Sequence, residues 1–175
     1  MAIENDEEIM EKLELKEKEI TRLVREFLID PANGNWHEDM VKESPLHGHG
    51  ADLILIGGNG NGEHFTIECK GKSKSKSSNK ENNWINALGQ LITRMDKSLV
   101  IQNGKTKGRP NTAYKYGLGL YWESAQVALS RIPRSTAMTL QLHIFSVYDD
   151  GFVKKWTPSK FNKKKYQDDE FKRQQ

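Results

Sequence analysis

Asp52-Leu53-Ile54-Leu55-Ile56-Gly57-Gly58-Asn59-Gly60-Asn61-Gly62-Glu63-His64-Phe65-Thr66-Ile67-Glu68-Cys69-Lys70 contains two short apolar runs separated by a glycine- and asparagine-rich turn. The run Leu53–Ile56 is continuous and apolar, as expected for a strand covered on both faces. His64 to Lys70 reads as its returning partner, so the pair predicts an antiparallel hairpin. Side chains alternate along a strand, so Thr66, Glu68 and Lys70 share one face while Phe65, Ile67 and Cys69 share the other. A turn centred near Gly60 sets Asp52 opposite Glu68, each eight residues from that glycine. Two carboxylates and one ammonium thus converge at one end of a sheet, which is costly unless the charges have partners.

Outward from the hairpin, residues 4–29 predict a helix, with Ile9, Leu13, Ile20, Leu23, Val24, Phe27 and Leu28 near a 3.6-residue period. Its apolar stripe is broad only from Ile20 onward, so its first turns are expected to project or to meet another chain. Residues 36–43 read as a strand and 45–50 as a loop. Lys72 to Asn83 is rich in Lys, Ser and Asn and is expected to be a mobile loop. Trp84, Ile85, Leu88, Leu91, Ile92 and Met95 then mark an amphipathic helix ending near Lys97. Further strands are expected over 99–101, 116–122, 140–148 and 152–156, with a basic loop over 102–112 and a helix over 123–131. The order describes one α/β domain with a mixed central sheet. The segments are an N-terminal helix over 1–30, packing on the core or on a partner, an α/β core over 31–158 and a basic polar tail over 159–175.

The 175 residues carry 27 Lys+Arg against 24 Asp+Glu, a net charge of only +3. That total hides a segregation. Residues 1–69 carry six basic and sixteen acidic side chains, whereas residues 70–109 carry ten basic and two acidic. An acidic front followed by a basic block beginning at Lys70 fits a polyanionic partner meeting specific carboxylates. No run approaches about 18 apolar residues, so no membrane span is expected. The acidic first twenty residues lack the apolar stretch of a secretory signal. The single Cys69 makes no intrachain disulfide, and no Cys pair offers a zinc site. A soluble, cytoplasmic protein is expected.

Phosphodiester hydrolysis is the chemistry that this trio of charges serves. Two carboxylates, a phosphate oxygen and waters form an all-oxygen shell suited to Mg²⁺. Lys70 would orient or help deprotonate the attacking water and place positive charge beside the transition state. Asp52, fifteen intervening residues, then Glu68-Cys69-Lys70 at the end of an apolar strand resembles the PD-(D/E)XK nuclease superfamily of restriction endonucleases and Holliday-junction resolvases. The following helix, Asn86-Ala87-Leu88-Gly89-Gln90-Leu91, belongs to the same resemblance, which spans roughly residues 15 to 156. Ala51 stands where the family pattern has Pro.

The resemblance implies a restriction-endonuclease-like α/β core, with a mixed central β-sheet flanked by helices. It also implies an Mg²⁺-dependent DNA endonuclease in which Mn²⁺ substitutes, with Asp52 and Glu68 as metal ligands, Lys70 assisting the water and Gln90 supporting the site. An acidic residue of the N-terminal helix completes such sites. Glu17, Glu19 and Glu26 are equivalent by spacing, and Glu19 stands for them in the candidate set. Lys72, Lys74, Lys76, Lys80, Lys107 and Arg109 are candidate contacts to duplex or branched DNA, and cutting both strands implies a homodimer or a larger complex.

Plainer readings exist for each feature. Glu68 and Lys70 could form a surface ion pair worth about 0–1 kcal/mol, and the lysines a solvated loop. His47 and His49, one residue apart with no third ligand, make a poor zinc site. His37 and His143 are expected on strand faces, and Trp84, Trp122 and Trp156 in the core. The alternative function is a non-catalytic nucleic-acid-binding or assembly subunit retaining the fold.

Overall fold

The computed structural model describes residues 16–38, 51–57, 63–72, 78–95, 101–102, 105–106 and 114–162. In chain order these form helix α1 (Glu17–Ile29), strands β1 (Trp36–Glu38), β2 (Leu53–Gly57) and β3 (His64–Lys70), and helix α2 (Ser78–Thr93). The short strands β4 (Ile101–Gln102) and β5 (Lys105–Thr106) follow, then β6 (Tyr114–Tyr121), α3 (Trp122–Arg131), α4 (Arg134–Thr139), β7 (Leu142–Val147) and β8 (Val153–Trp156). Six strands make one mixed sheet in the order β1-β2-β3-β6-β7-β8, and β4 pairs separately with β5. The pairs β3–β6 and β6–β7 are parallel, and the outer pairs are antiparallel. The chain is an α/β protein with helices flanking a mixed sheet.

Each face of the sheet carries its own apolar cluster. On one, Ile20, Val24 and Leu28 of α1 are fully buried against Leu53, Leu55, Phe65, Ile67, Cys69, Phe145 and Val147. Burial of each such aliphatic side chain contributes about 1.5–3 kcal/mol, so this stretch of the N-terminal helix is part of the core. Gly119 of β6 allows α1 this close. A Cβ at Gly119 would lie 2.6 Å from Cys69 Sγ and 3.2 Å from Val24 Cγ2. On the other face, Ala87 and Leu91 of α2 join Leu118, Leu120, Ala125, Ala128, Leu129, Ile144 and Trp156. The indole Nε1 of Trp156 donates to Ser146 Oγ at 2.8 Å, which satisfies both buried groups.

Four expectations change. The stretch 102–112 read as a basic loop carries strand β5, paired with β4. The helix expected from Trp84 begins at Ser78, inside the stretch read as a loop. Its first residues are polar and carry no apolar period, and the side chain of Asn83 ties it down by donating to the Gly71 carbonyl at 3.0 Å. The core runs past residue 158. Phe161 is fully buried, and Asn162 N–H donates to the Leu129 carbonyl at 3.0 Å. Helix α4, absent from the sequence reading, follows Pro133, whose carbonyl accepts from Ala137 N–H at 3.0 Å. Residues 4–15 of the expected N-terminal helix lie outside the described residues.

Candidate active site at the carboxyl end of β3

The β2–β3 register pairs Leu53 with Ile67 and Ile54 with Thr66. Continued by one residue, it sets Asp52 against Glu68, the arrangement that the Gly60-centred turn predicts. The Asp52 side chain is fixed there because its Oδ2 accepts from the Cys69 backbone N–H at 2.6 Å. Burial raises the Asp52 carboxyl above the usual carboxylate range. The Cys69 N–H opposes that shift, Glu17 adds to it, and Lys70 and Arg94 oppose it.

Glu68 is 1% exposed, and a carboxylate so placed needs cations around it. Lys70 Nζ lies 3.6 Å from its Oε1, and the Arg94 guanidinium pairs with its Oε2. Lys70 Nζ also donates to Glu17 Oε2 at 3.1 Å, a contact bridging 53 positions of sequence. The first turn of α1, the start of β2, the end of β3 and the turn just past α2 therefore meet at one point. This is the carboxyl edge of the parallel strands, where α/β sheets place ligands.

Of the three N-terminal carboxylates, Glu17 is the one at this point. Glu19 and Glu26 both pair with Arg22 on the exposed side of α1. That pairing holds Glu19 below the usual carboxylate range, the Arg22 hydrogen bond outweighing burial. Glu19 therefore lies apart from the cluster, and Glu17 takes the place assigned to it. Gln90 is exposed, and its backbone carbonyl accepts from Thr93 Oγ1 at 2.7 Å. Arg94, one turn further along, is the residue that sequence reasoning missed. The available signal was a cation between the apolar Leu91 and Met95, on the side of the helix turned to the sheet.

Lys72 sits beyond the end of β3, with Nζ 3.8 Å from Asp149 Oδ1 and 4.6 Å from the centroid of the Tyr121 ring. Tyr121 donates its hydroxyl to Asp149 Oδ2 at 2.8 Å. Burial pulls the Lys72 ammonium down, but Tyr121 and Asp149 outweigh it and raise its pKa. Lys72 is thus held by its own chain. Lys80 falls in the first turn of α2, its side chain outside the described residues. Lys74, Lys76, Lys107, Arg109, His47 and His49 lie outside the described residues altogether. Cys69 faces away from the site into the α1 cluster, and burial pushes its thiol up to about 12.

No family model, curated protein or solved structure matches the chain. No helix among the described residues is long and apolar enough to cross a membrane.

The donor chemistry fits a hard divalent cation only in part. Among the described residues no cluster of three or more His, Cys, Asp and Glu side chains could hold a metal. Asp52 and Glu68 supply two hard oxygen donors, and the Asp52 carboxyl raised by burial is a group whose charge a cation would offset. Mg²⁺ commonly binds in this way, with one or two carboxylates plus waters and phosphate oxygens.

Proposed function

We propose that the chain is a metal-dependent DNA endonuclease with a restriction-endonuclease-like core of the PD-(D/E)XK type. The observation that carries this reading is the convergence of Asp52, Glu68 and Lys70, from β2 and β3, on the carboxyl edge of a mixed sheet. The element order supports it, with an N-terminal helix contributing Glu17 and a helix after β3 contributing Arg94. The run of positive charge in the sequence that begins at Lys70 is the composition a polyanionic partner calls for.

Asp52 and Glu68 would hold the cation, which when bound lowers the pKa of a water and offsets charge on the phosphoryl oxygens. The remaining work falls to the chain. The Cys69 N–H fixes the orientation of Asp52, and Arg94 and Lys70 fix that of Glu68. Lys70 Nζ, tethered between Glu68 and Glu17, is placed to orient an attacking water and to face the charge developing on the phosphate. Cutting both strands of a duplex calls for two copies of this single site.

The closed ion network around Glu68 also favours a second reading, a nucleic-acid-binding or assembly subunit in which these charges serve the fold. The two readings separate in one assay. The purified chain is incubated with supercoiled plasmid and with branched DNA, in Mg²⁺ and in EDTA. Nicked or linear product in Mg²⁺ alone supports the endonuclease. Salt-sensitive binding without product supports the second reading, and neither binding nor product contradicts both.

A further inference from the structure

Arg94 pairs with Glu68, and the reaction above asks of it only that it fix the Glu68 carboxylate. Its side chain is 19% exposed against 2% for that of Glu68, so the pair is largely withdrawn from water. Lys70 is divided between Glu17 and Glu68, whereas Arg94 pairs with Glu68, and both cations act through their charge on Asp52. Formally the cluster sets three carboxylates, Asp52, Glu68 and Glu17, against two cations, Lys70 and Arg94, leaving one negative charge. A divalent ion turns that into one positive charge, which a phosphodiester anion neutralises. Without Arg94 the same ion would bring the cluster only to zero, and the substrate phosphate would meet no net attraction.

From this charge balance and contact we infer that Arg94 is a positioning residue that holds Glu68 and competes with a divalent cation for its carboxylate. The inference rests on the metal-dependent reading of the site and extends it. Arg94 sets how tightly the empty protein takes the metal, and keeps the loaded site attractive to phosphate. An ion pair serving only the fold would affect melting and leave metal affinity unchanged.

The test is Mn²⁺ binding to the full chain without DNA, measured by titration calorimetry. Arg94→Met is expected to bind Mn²⁺ about tenfold more tightly than wild type, since a unit positive charge in a partly buried site is gone. Arg94→Lys, which restores the charge, is expected to return most of the way to wild type. Arg22→Met removes an equal charge from the outer face of α1 and is expected to change nothing. Should Arg94→Met not yield folded protein by circular dichroism, Arg94→Gln takes its place as the neutral variant. Unchanged or weaker Mn²⁺ binding by the neutral variant, with wild type binding normally, overturns the inference alone. Absence of Mn²⁺ binding by wild type overturns the metal-dependent reading and the inference with it.

Discussion

Lys70 Nζ is held by two carboxylates of unlike exposure, the buried Glu68 and the half-exposed Glu17. An ion pair with so exposed a partner contributes about 0–1 kcal/mol, so its value lies in where it holds the ammonium. Glu17→Gln is therefore expected to leave denaturant stability within about 1 kcal/mol of wild type while lowering any metal-dependent cleavage. Glu19→Gln, which touches only Arg22 on the solvent side, is expected to change neither. Equal activity losses in the two variants would contradict the placement of Glu17. The two residues differ by 200° around a helix of 3.6 residues per turn. The sequence could not choose between them because the orientation of the helix is set by Ile20, Val24 and Leu28 together.

At the scale of the element, β6 decides how closely α1 approaches the sheet. Its glycines alternate with Tyr116, Leu118 and Leu120, so one face is packed by those side chains, while on the other Gly119 makes room for Val24 of α1 and Gly117 for Phe65, Ile67 and Phe145. Gly119→Ala would set a methyl 2.6 Å from Cys69 Sγ, and is expected to destabilise the fold by about 1–3 kcal/mol in a denaturant titration. A wild-type midpoint would show that the helix can shift outward freely.

The hairpin that carries Asp52 and Glu68 was legible in sequence because a strand pair has a fixed period of two. Once a turn is located, the register follows from counting, and Leu53↔Ile67 is what the count requires. Elements without apolar rhythm were not legible. The first turns of α2 are Ser, Asn, Lys and Glu, and Arg94 becomes part of the site only because a helix of that length returns to the end of β3. Phe161, in a basic tail without apolar rhythm, finds its place through the cluster that holds Leu129 of α3 and Trp156 of β8.

For the molecule as a whole, a second buried titratable group lies in the sheet itself. His143 is in register with Gly117 and Ile67, two strands from β3, with Lys155 and the Lys115–Glu63 ion pair nearby. His143 is buried in contact with Phe65, and its Nδ1 has no hydrogen-bond partner. Burial, reinforced by Lys155 and Lys115, pushes its pKa down to about 3. The unfolded chain takes up this proton near the ordinary histidine value of about 6.5, and the folded chain refuses it until far lower pH. Stability is thus fully present above that value and is lost as pH falls toward 3, at up to about 1.4 kcal/mol per pH unit. His143→Leu is expected to flatten this part of the curve of unfolding free energy against pH. A slope equal to that of wild type would contradict the assignment.

The central claim concerns what the charges at the carboxyl edge do together, and Lys70 tests it most directly. Cleavage of supercoiled plasmid in Mg²⁺ is compared for wild type and Lys70→Ala, alongside the affinity of each for a duplex in Ca²⁺ or EDTA. The predicted result is Mg²⁺-dependent cleavage by wild type, a loss of at least about a hundredfold in the variant, as expected when a donor facing the charge of the transition state is removed, and DNA affinity little changed. Cleavage by Lys70→Ala at the wild-type rate would contradict the account.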